Sequence, residues 1–362
     1  MRNYLDLMQR IVDNGHHHSD RTGVGRISLY GEMLRFNMQD GFPLVTTRKI
    51  PYKAIVKELL WFITGSTSNQ KLLDQNVKIW DSWAVKEHHI DEFLNTYPNM
   101  NSEIKTHLKV GLTELRLESI GPMYGHSWRM APGSDVSPFL PDVDESNVAS
   151  DKLVKYRAEW EEYLREHDDV KTEDWSEFLK ACHYSHVDQL QNLIIGLKQR
   201  PYSSRHIVTA WIPSLVPFEH LSPQHNVIID RGALAACHTM FQCFVIPPDE
   251  HHNVPRLSMM LTQRSCDFPV GAVFNIAQYS MLLHMLAQVC GYEAYEFIYS
   301  LGDVHIYKDQ LHLVQEQLNR HPGKLPHLWL TPDITDIYKF TVDDIVVHEY
   351  EALDPISYPV AV

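Results

Sequence analysis

Residues 275–289 (NIAQYSMLLHMLAQV) contain no Asp, Glu, Lys or Arg. Most amphipathic helices keep a charged stripe for solvent, and a helix with none has to be enclosed by other protein. The stretch therefore predicts a long central helix with the rest of the chain built around it. It is shorter than the roughly 20 residues that span a bilayer, and no other apolar run approaches that length. With 362 residues, 44% of them apolar, the chain can bury a sizeable core as one large domain or two small ones.

The elements around that helix follow from pattern. Residues 27–36 alternate as a strand does, with Gly31 a candidate bulge. Residues 53–64 (KAIVKELLWFIT) form an amphipathic helix that carries Glu58 and ends at Gly65. Residues 206–211, 241–246 and 256–262 read as strands, and residues 307–319 as a further helix. Two stretches change character. Residues 84–120 read as polar and irregular. Residues 130–186 begin rich in Pro, Gly, Ser and Asp, and continue as an acidic amphipathic helix with Leu153, Tyr156, Trp160, Tyr163 and Leu164 near helical spacing. Both are expected to be surface insertions, at about 84–120 and 130–186, in a single domain spanning 1–362. The triplet His16, His17, His18 reads as a solvated turn, because three adjacent side chains cannot all face one metal.

The net charge of −14 argues against a generic nucleic-acid binder. An anionic ligand would have to be held by a local arginine cluster. The five cysteines (Cys182, Cys237, Cys243, Cys266, Cys290) show no paired CxxC spacing, so neither a zinc site nor a disulfide framework is expected. Residues 1–11 lack the apolar core of a signal peptide. A cytosolic protein is expected, in the host cytosol if the source is viral.

Several short segments could carry chemistry. Cys237 and His238 follow the small residues 232–236, which leave room for a ligand beside the sulfur. A cysteine with cationic neighbours becomes a nucleophilic thiolate. Taken alone the pair reads as a buried structural cysteine, since adjacent strand side chains face opposite ways. Arg264, Ser265 and Asp267 lie together after a strand. Arg and Ser suit a phosphate and Asp suits a polar ring, with a surface salt bridge as the plain alternative. Arg21 sits in a Gly-containing turn that also suits phosphate. His305 and Tyr307 share one side of an extended segment and could bond a sugar hydroxyl or satisfy the core.

In order along the chain stand DRTGVG, FPLVTTRK, ELLWF, IWDSWA, GPMYG, CHTMFQ, QRSCD, FNIA, GDVHIY and the terminal PVAV. In these collinear stretches the chain resembles the thymidylate synthase family, through residues 1–83, 121–129 and 187–362. The resemblance implies an α/β (α+β) fold with a large mixed, twisted sheet. It also implies a homodimer in which sheet packs on sheet, with no membrane or nucleic-acid partner and no metal. The implied reaction transfers a one-carbon unit from 5,10-methylenetetrahydrofolate to C5 of dUMP through a covalent adduct at Cys237.

The resemblance also implies residue roles. Arg21, Arg264, Ser265 and, from the other subunit, Arg205 match phosphate ligands. Gln242 falls among the substrate-binding positions. Asn275 matches the residue that reads the uracil edge, since an amide can donate to O4 and accept from N3–H. An aspartate at this position would suit cytosine. His305 and Tyr307 match the sugar contacts. Glu58 matches the carboxylate that organises water and proton transfer, and Tyr124 a tyrosine beside the cysteine. Ile79, Trp80, Trp83, Asp267, Gly271 and Phe274 match the folate wall, and Ala361 and Val362 the C-terminal lid.

The chain departs from the family at chosen points. Ala236 replaces the usual Pro before the nucleophile, and His206 the usual second Arg. Ser127 stands for Gln, Val273 for Pro and Gln278 for Ser. Catalysts kept while their surroundings change point to hydroxymethylation of dUMP. The alternative is reductive methylation to dTMP and dihydrofolate. Some viruses that build modified pyrimidines into DNA use such hydroxymethylases, so a phage source would fit.

Overall fold

In the computed structural model, which describes residues 1–19, 23–132 and 186–360, the charge-free stretch lies within the helix Val273–Cys290. In chain order the helices are α1 (Arg2–Asn14), α2 (Tyr52–Thr64), α3 (Gln70–Leu73), α4 (Glu87–Asn95), α5 (Ser102–Arg116), α6 (Gly125–Met130), α7 (Gln189–Gln199), α8 (Pro223–Ile228), α9 (Val273–Cys290) and α10 (Leu311–Leu318). The strands are β1 (His16–His18), β2 (Arg26–Asn37), β3 (Ala131–Pro132), β4 (His186–Val187), β5 (Ile207–Thr209), β6 (His238–Ile246), β7 (Arg256–Asp267), β8 (Glu293–Tyr307), β9 (His327–Leu330) and β10 (Ile345–His348).

The chain divides into two compact units, Met1–Arg129 with Gln189–Val362, and Met130–Asp188. In the second, the described residues form the short antiparallel pair β3–β4. The amphipathic helix expected around residues 153–164 lies outside the described residues.

The first unit is built on a six-stranded sheet in the order β1-β2-β8-β7-β6-β5. Only β7 and β8 pair in parallel. A parallel pair needs a crossover, and α9 supplies it, which is why the most apolar helix lies against the sheet. Helices α2 and α7 pack on it from its other sides. A π-helical turn, Phe268–Ala272, leads into α9, so turn and helix together run 23 residues. That is longer than the sequence pattern indicated. The segment is apolar enough to cross a membrane by length and composition, but 78% of its apolar window is buried in the protein.

Three adjacent strands change their buried side at one level. Along β8, Phe297, Tyr299 and Leu301 are buried, then Val304 and Ile306. Along β7, Leu257, Met259 and Leu261 are followed by Cys266, and along β2, Ile27 by Leu34 and Phe36. The changes fall at Gly302, Arg264 and Gly31. A Cβ on Gly302 would lie 2.7 Å from the Arg264 carbonyl oxygen, and Gly31 has φ +83°. The expected bulge at Gly31 is therefore of another kind. Tyr30 pairs Asp303 and Glu32 pairs Leu301, so no residue is inserted and both strands turn over together. A register shift in β6 between His238 and Met240 continues the line. At that line Arg264 meets Cys237, and beyond it the strand ends carry Ser265, His305 and Tyr307.

Two local expectations differ. Residues 84–120 contain α4 and α5, not irregular chain. Asn101, read as part of a loop, caps α5 by accepting from the Glu103 and Ile104 N–H groups. Lys86 ties the start of this stretch to its end through Asp81 (2.9 Å) and Glu118 (2.6 Å). His16–His18 form an exposed strand antiparallel to β2, because β2 would otherwise leave that edge unpaired.

Candidate active site

Cys237 is the residue before β6, partly exposed at the turned-over end of the sheet. Its N–H donates to the Tyr124 hydroxyl at 3.0 Å. The Arg264 guanidinium donates to the carbonyl oxygens of Ala236 (Nε, 3.0 Å) and Ala235 (Nη2, 2.7 Å), and Nη2 lies 3.8 Å from the Cys237 sulfur. Burial pushes the thiol above its ordinary value and Arg264 draws it part of the way back. One arginine therefore offsets only part of the desolvation that opposes the thiolate expected from sequence. Among the described residues, Cys237, Cys243, Cys266 and Cys290 are all free thiols.

Glu58 lies on the buried face of α2. Its Oε1 accepts from Trp80 Nε1 at 2.8 Å and its Oε2 from Gln278 Nε2 at 2.9 Å. Burial raises its carboxyl from 4.5 to about 7, against the opposing pull of those two donors. Trp80 is thus turned inward, 8% exposed, with its ring 5.7 Å from those of Trp83 and Tyr124. Tyr124 holds a left-handed backbone (φ 35°) and stacks on Phe62. His238 packs against Tyr124 and lies 3.3 Å from the Tyr279 hydroxyl through Nδ1. Burial lowers it to about 4, so it is neutral. It is buried in the core and hydrogen-bonds the Asn275 side chain.

Asn275, on α9, is 8% exposed. Its Nδ2 donates to Gln263 Oε1 (2.9 Å) and to the Tyr299 hydroxyl (3.3 Å). Tyr299 itself donates to Gln263 Oε1 at 2.6 Å, and Gln263 Nε2 to the Ser265 carbonyl at 2.8 Å. The amide nitrogen that sequence reasoning offered to a pyrimidine O4 is therefore already engaged. His305 is buried, with Nδ1 3.3 Å from Asp303 Oδ1 and its ring edge-on to Tyr307.

Asp267 ends β7. Its carboxylate accepts from Gln310 Nε2 at 3.2 and 3.0 Å, and burial lifts it to about 6. The same Gln310 nitrogen donates to the Pro359 carbonyl, tying the C-terminal segment to Asp267. Arg48 holds that segment from the other side, bonding the Ile356 carbonyl and lying over the Tyr358 ring. Gly271 and Phe274 flank Asp267 on the π-helical turn and the start of α9. Ile79 and Trp83 are partly exposed beside Trp80. Apolar faces beside a carboxyl that accepts N–H bonds suit a flat ring with an N–H-bearing edge, as a pterin has.

Arg205 is not brought to the cysteine. It is exposed at the entry to edge strand β5, and no hydrogen bond of its side-chain nitrogens is found within the described residues. Gln242 lies beside it, donating to the Ser204 carbonyl at 3.1 Å. Arg21, Ala361 and Val362 lie outside the described residues. Sequence reasoning gave no role to Gln278, Gln263, Tyr299 or Gln310. Gln278 could have been found, since it stands three residues after Asn275 and so on the same helix face.

The family model described as thymidylate synthase matches residues 2–362. A thymidylate synthase of Leuconostoc mesenteroides is 35% identical over 359 residues, covering 99% of this chain and 98% of the relative. One of Francisella philomiragia is 34% identical over 351 residues, covering 97% and 96%.

Proposed function

The chain belongs to the thymidylate synthase family, and from that premise we propose that it hydroxymethylates dUMP, with Cys237 as nucleophile. It is a one-carbon transferase acting on dUMP, with 5,10-methylenetetrahydrofolate as donor. The finer reading concerns product and residue roles.

Cys237 attacks C6 of the pyrimidine, which leaves C5 carbanion-like and able to take the methylene that the folate supplies. Loss of the C5 proton, with cleavage of the bond between that methylene and N5 of the folate, then releases tetrahydrofolate and gives an exocyclic methylene conjugated with the C4 carbonyl. In the proposed reaction water adds to that methylene: its oxygen forms the new C–O bond and its proton passes to Glu58. The electrons shift through C5 to O4 and return to expel the thiolate from C6. Atoms balance as dUMP, methylenetetrahydrofolate and water giving 5-hydroxymethyl-dUMP and tetrahydrofolate. The observation that carries this reading is Glu58 itself, a buried carboxyl near 7 held by donors on both oxygens, hence poised to take a proton from water near neutral pH.

Arg264 and Ser265 hold the phosphate with Arg21. Asn275 faces the uracil with its oxygen, and His305 and Tyr307 hold the sugar. Asp267, Gly271, Phe274, Ile79, Trp80 and Trp83 take the folate, and the C-terminal residues close over it. Arg205 serves the neighbouring subunit of a homodimer. Exposed Tyr30, Met33, Ile207 and Phe244 on the sheet strands support such a sheet-to-sheet contact.

The second reading is reduction to dTMP. The inward Trp80 ring, with Trp83 and Tyr124, favours it by walling the site from water, and both relatives named above are called thymidylate synthases. Product analysis decides between them. Hydroxymethylation gives 5-hydroxymethyl-dUMP with no dihydrofolate absorbance. One-for-one dTMP and dihydrofolate would overturn it.

A further inference from the structure

We propose that Gln278 is a positioning residue of the reaction, a second donor that works with Trp80 to fix the Glu58 carboxylate in place. The proposal rests on the reading of Glu58 as the carboxylate at the reacting centre.

The geometry is a two-sided clamp. Trp80 Nε1 meets one oxygen at 2.8 Å and Gln278 Nε2 the other at 2.9 Å. The two donors come from different elements, the segment before a 3-10 turn and the core helix α9, so the carboxyl plane cannot rotate without losing one of them. Glu58 is 7% exposed and Gln278 only 1%. An amide that deep in an apolar helix is costly unless bonded, so its orientation is dictated by the carboxylate it serves.

Among the described residues no cation shares the work. Helix α9 contributes Tyr279, whose hydroxyl is neutral because burial raises it well above its ordinary value. Beyond Trp80 stand Tyr124, Cys237 and His238, the last neutral through burial. On the other elements packed against α2, Lys71, Asp74, Lys339 and Asp343 are exposed, and Asp344 is taken up by Thr341. Burial works against the charged form of Glu58, and the two N–H donors oppose it. A carboxylate with donors on both oxygens still has free lone pairs, so the clamp leaves room for a water on the carboxylate.

The test is Gln278→Met, which keeps the length of the side chain and removes the donor. Glu58 is titrated directly, by the infrared carboxyl band that Glu58→Gln abolishes, and turnover of dUMP is followed against pH. The clamp predicts that the Glu58 midpoint rises by about one unit. Turnover near pH 7 then falls roughly fivefold and recovers toward pH 9, with KM for dUMP changed less than about twofold. In a Glu58→Gln background the same substitution adds no pH-dependent loss. If Gln278→Met does not fold, Gln278→Asn, one methylene too short to reach, carries the same expectation. An unmoved Glu58 midpoint in the folded variant, or an equal loss with and without the Glu58 carboxyl, overturns the proposal. The titration does not depend on the product, so a wild type that makes dTMP would sink the hydroxymethylation reading and leave the clamp standing.

Discussion

Arg264 holds Cys237 in two ways at once: one nitrogen, Nη2, donates to the Ala235 carbonyl at 2.7 Å and lies 3.8 Å from the Cys237 sulfur. The guanidinium therefore shapes the loop and opposes the rise that burial imposes on the thiol. Arg264→Met is expected to slow alkylation of Cys237 by iodoacetamide near pH 7 by roughly tenfold, about one unit of thiol pKa. Arg264→Lys keeps the charge and loses less. Cys237→Ser is expected to fold, bind dUMP and form no covalent adduct with 5-fluoro-dUMP by mass spectrometry. An adduct on the serine variant would remove Cys237 as nucleophile.

Glu58 also makes a stability prediction. Its carboxyl sits near 7 in the folded chain against an ordinary 4.5. Below the ordinary value it is protonated in both folded and unfolded chains. As pH rises toward 7 the unfolded chain releases a proton that the folded chain keeps, so stability is lost across that window. The loss is at most about 3 kcal/mol. Glu58→Gln is neutral throughout, and its carbonyl can still accept from Trp80. Its melting temperature is expected to match the wild type near pH 4.5 and exceed it near pH 7.5. A gap that does not widen with pH would contradict the raised value.

The engagement of Asn275 by Gln263 and Tyr299 sharpens the specificity argument. With Nδ2 committed, Oδ1, which His238 also engages, keeps a lone pair to accept the uracil N3–H. In Asn275→Asp, the carboxyl facing Gln263 Oε1 has to be protonated to donate there, because two acceptors cannot meet. Its other oxygen would then accept from a cytosine amine. The ratio of kcat/KM for dCMP over dUMP is expected to rise at least about tenfold, roughly 1.4 kcal/mol. An unchanged ratio would take Asn275 out of base selection.

Arg205 is exposed at the sheet edge, and its side chain makes no hydrogen bond within the described residues. Inactive Cys237→Ser and Arg205→Ala chains, mixed and allowed to exchange subunits, are expected to regain activity, since each heterodimer then carries one site free of both changes. Exchange without recovery would place Arg205 outside the neighbour's site.

Much of this was legible beforehand where residue type alone decides. The lack of charge in residues 275–289 required enclosure, and the crossover between β7 and β8 provides it. Gly65 ends α2 in the left-handed conformation, as a helix-ending glycine does. What escaped depended on partners distant in sequence. Gln278 stood out only as a departure, and its role needs Glu58, 220 residues away. Trp80 was read as a wall, yet its indole N–H is spent on the same carboxylate. The helices within residues 84–120 escaped because polar caps such as Asn101 look like loop residues until the helix they start is seen.

Trp80 gives the last prediction, because it joins the two readings of the product. Its ring lines the site and its N–H holds Glu58, so different substitutions separate these roles. Trp80→Phe keeps an aromatic wall and removes the donor. The Glu58 midpoint is expected to rise from about 7, and turnover near neutral pH to fall, without a change of product. Trp80→Gly removes the wall as well. If the wild type already uses water, opening the site leaves 5-hydroxymethyl-dUMP as the product and lowers only the rate. If the wild type reduces the methylene, the opened site lets water or added thiol compete, and hydroxymethyl or thioether products appear at the expense of dTMP. Chromatography of the nucleotides from the three proteins, with dihydrofolate absorbance followed in parallel, distinguishes these outcomes. A product that shifts in Trp80→Gly, from a wild type that forms dihydrofolate, would make the indole a water shield and the chain a reductive methylase.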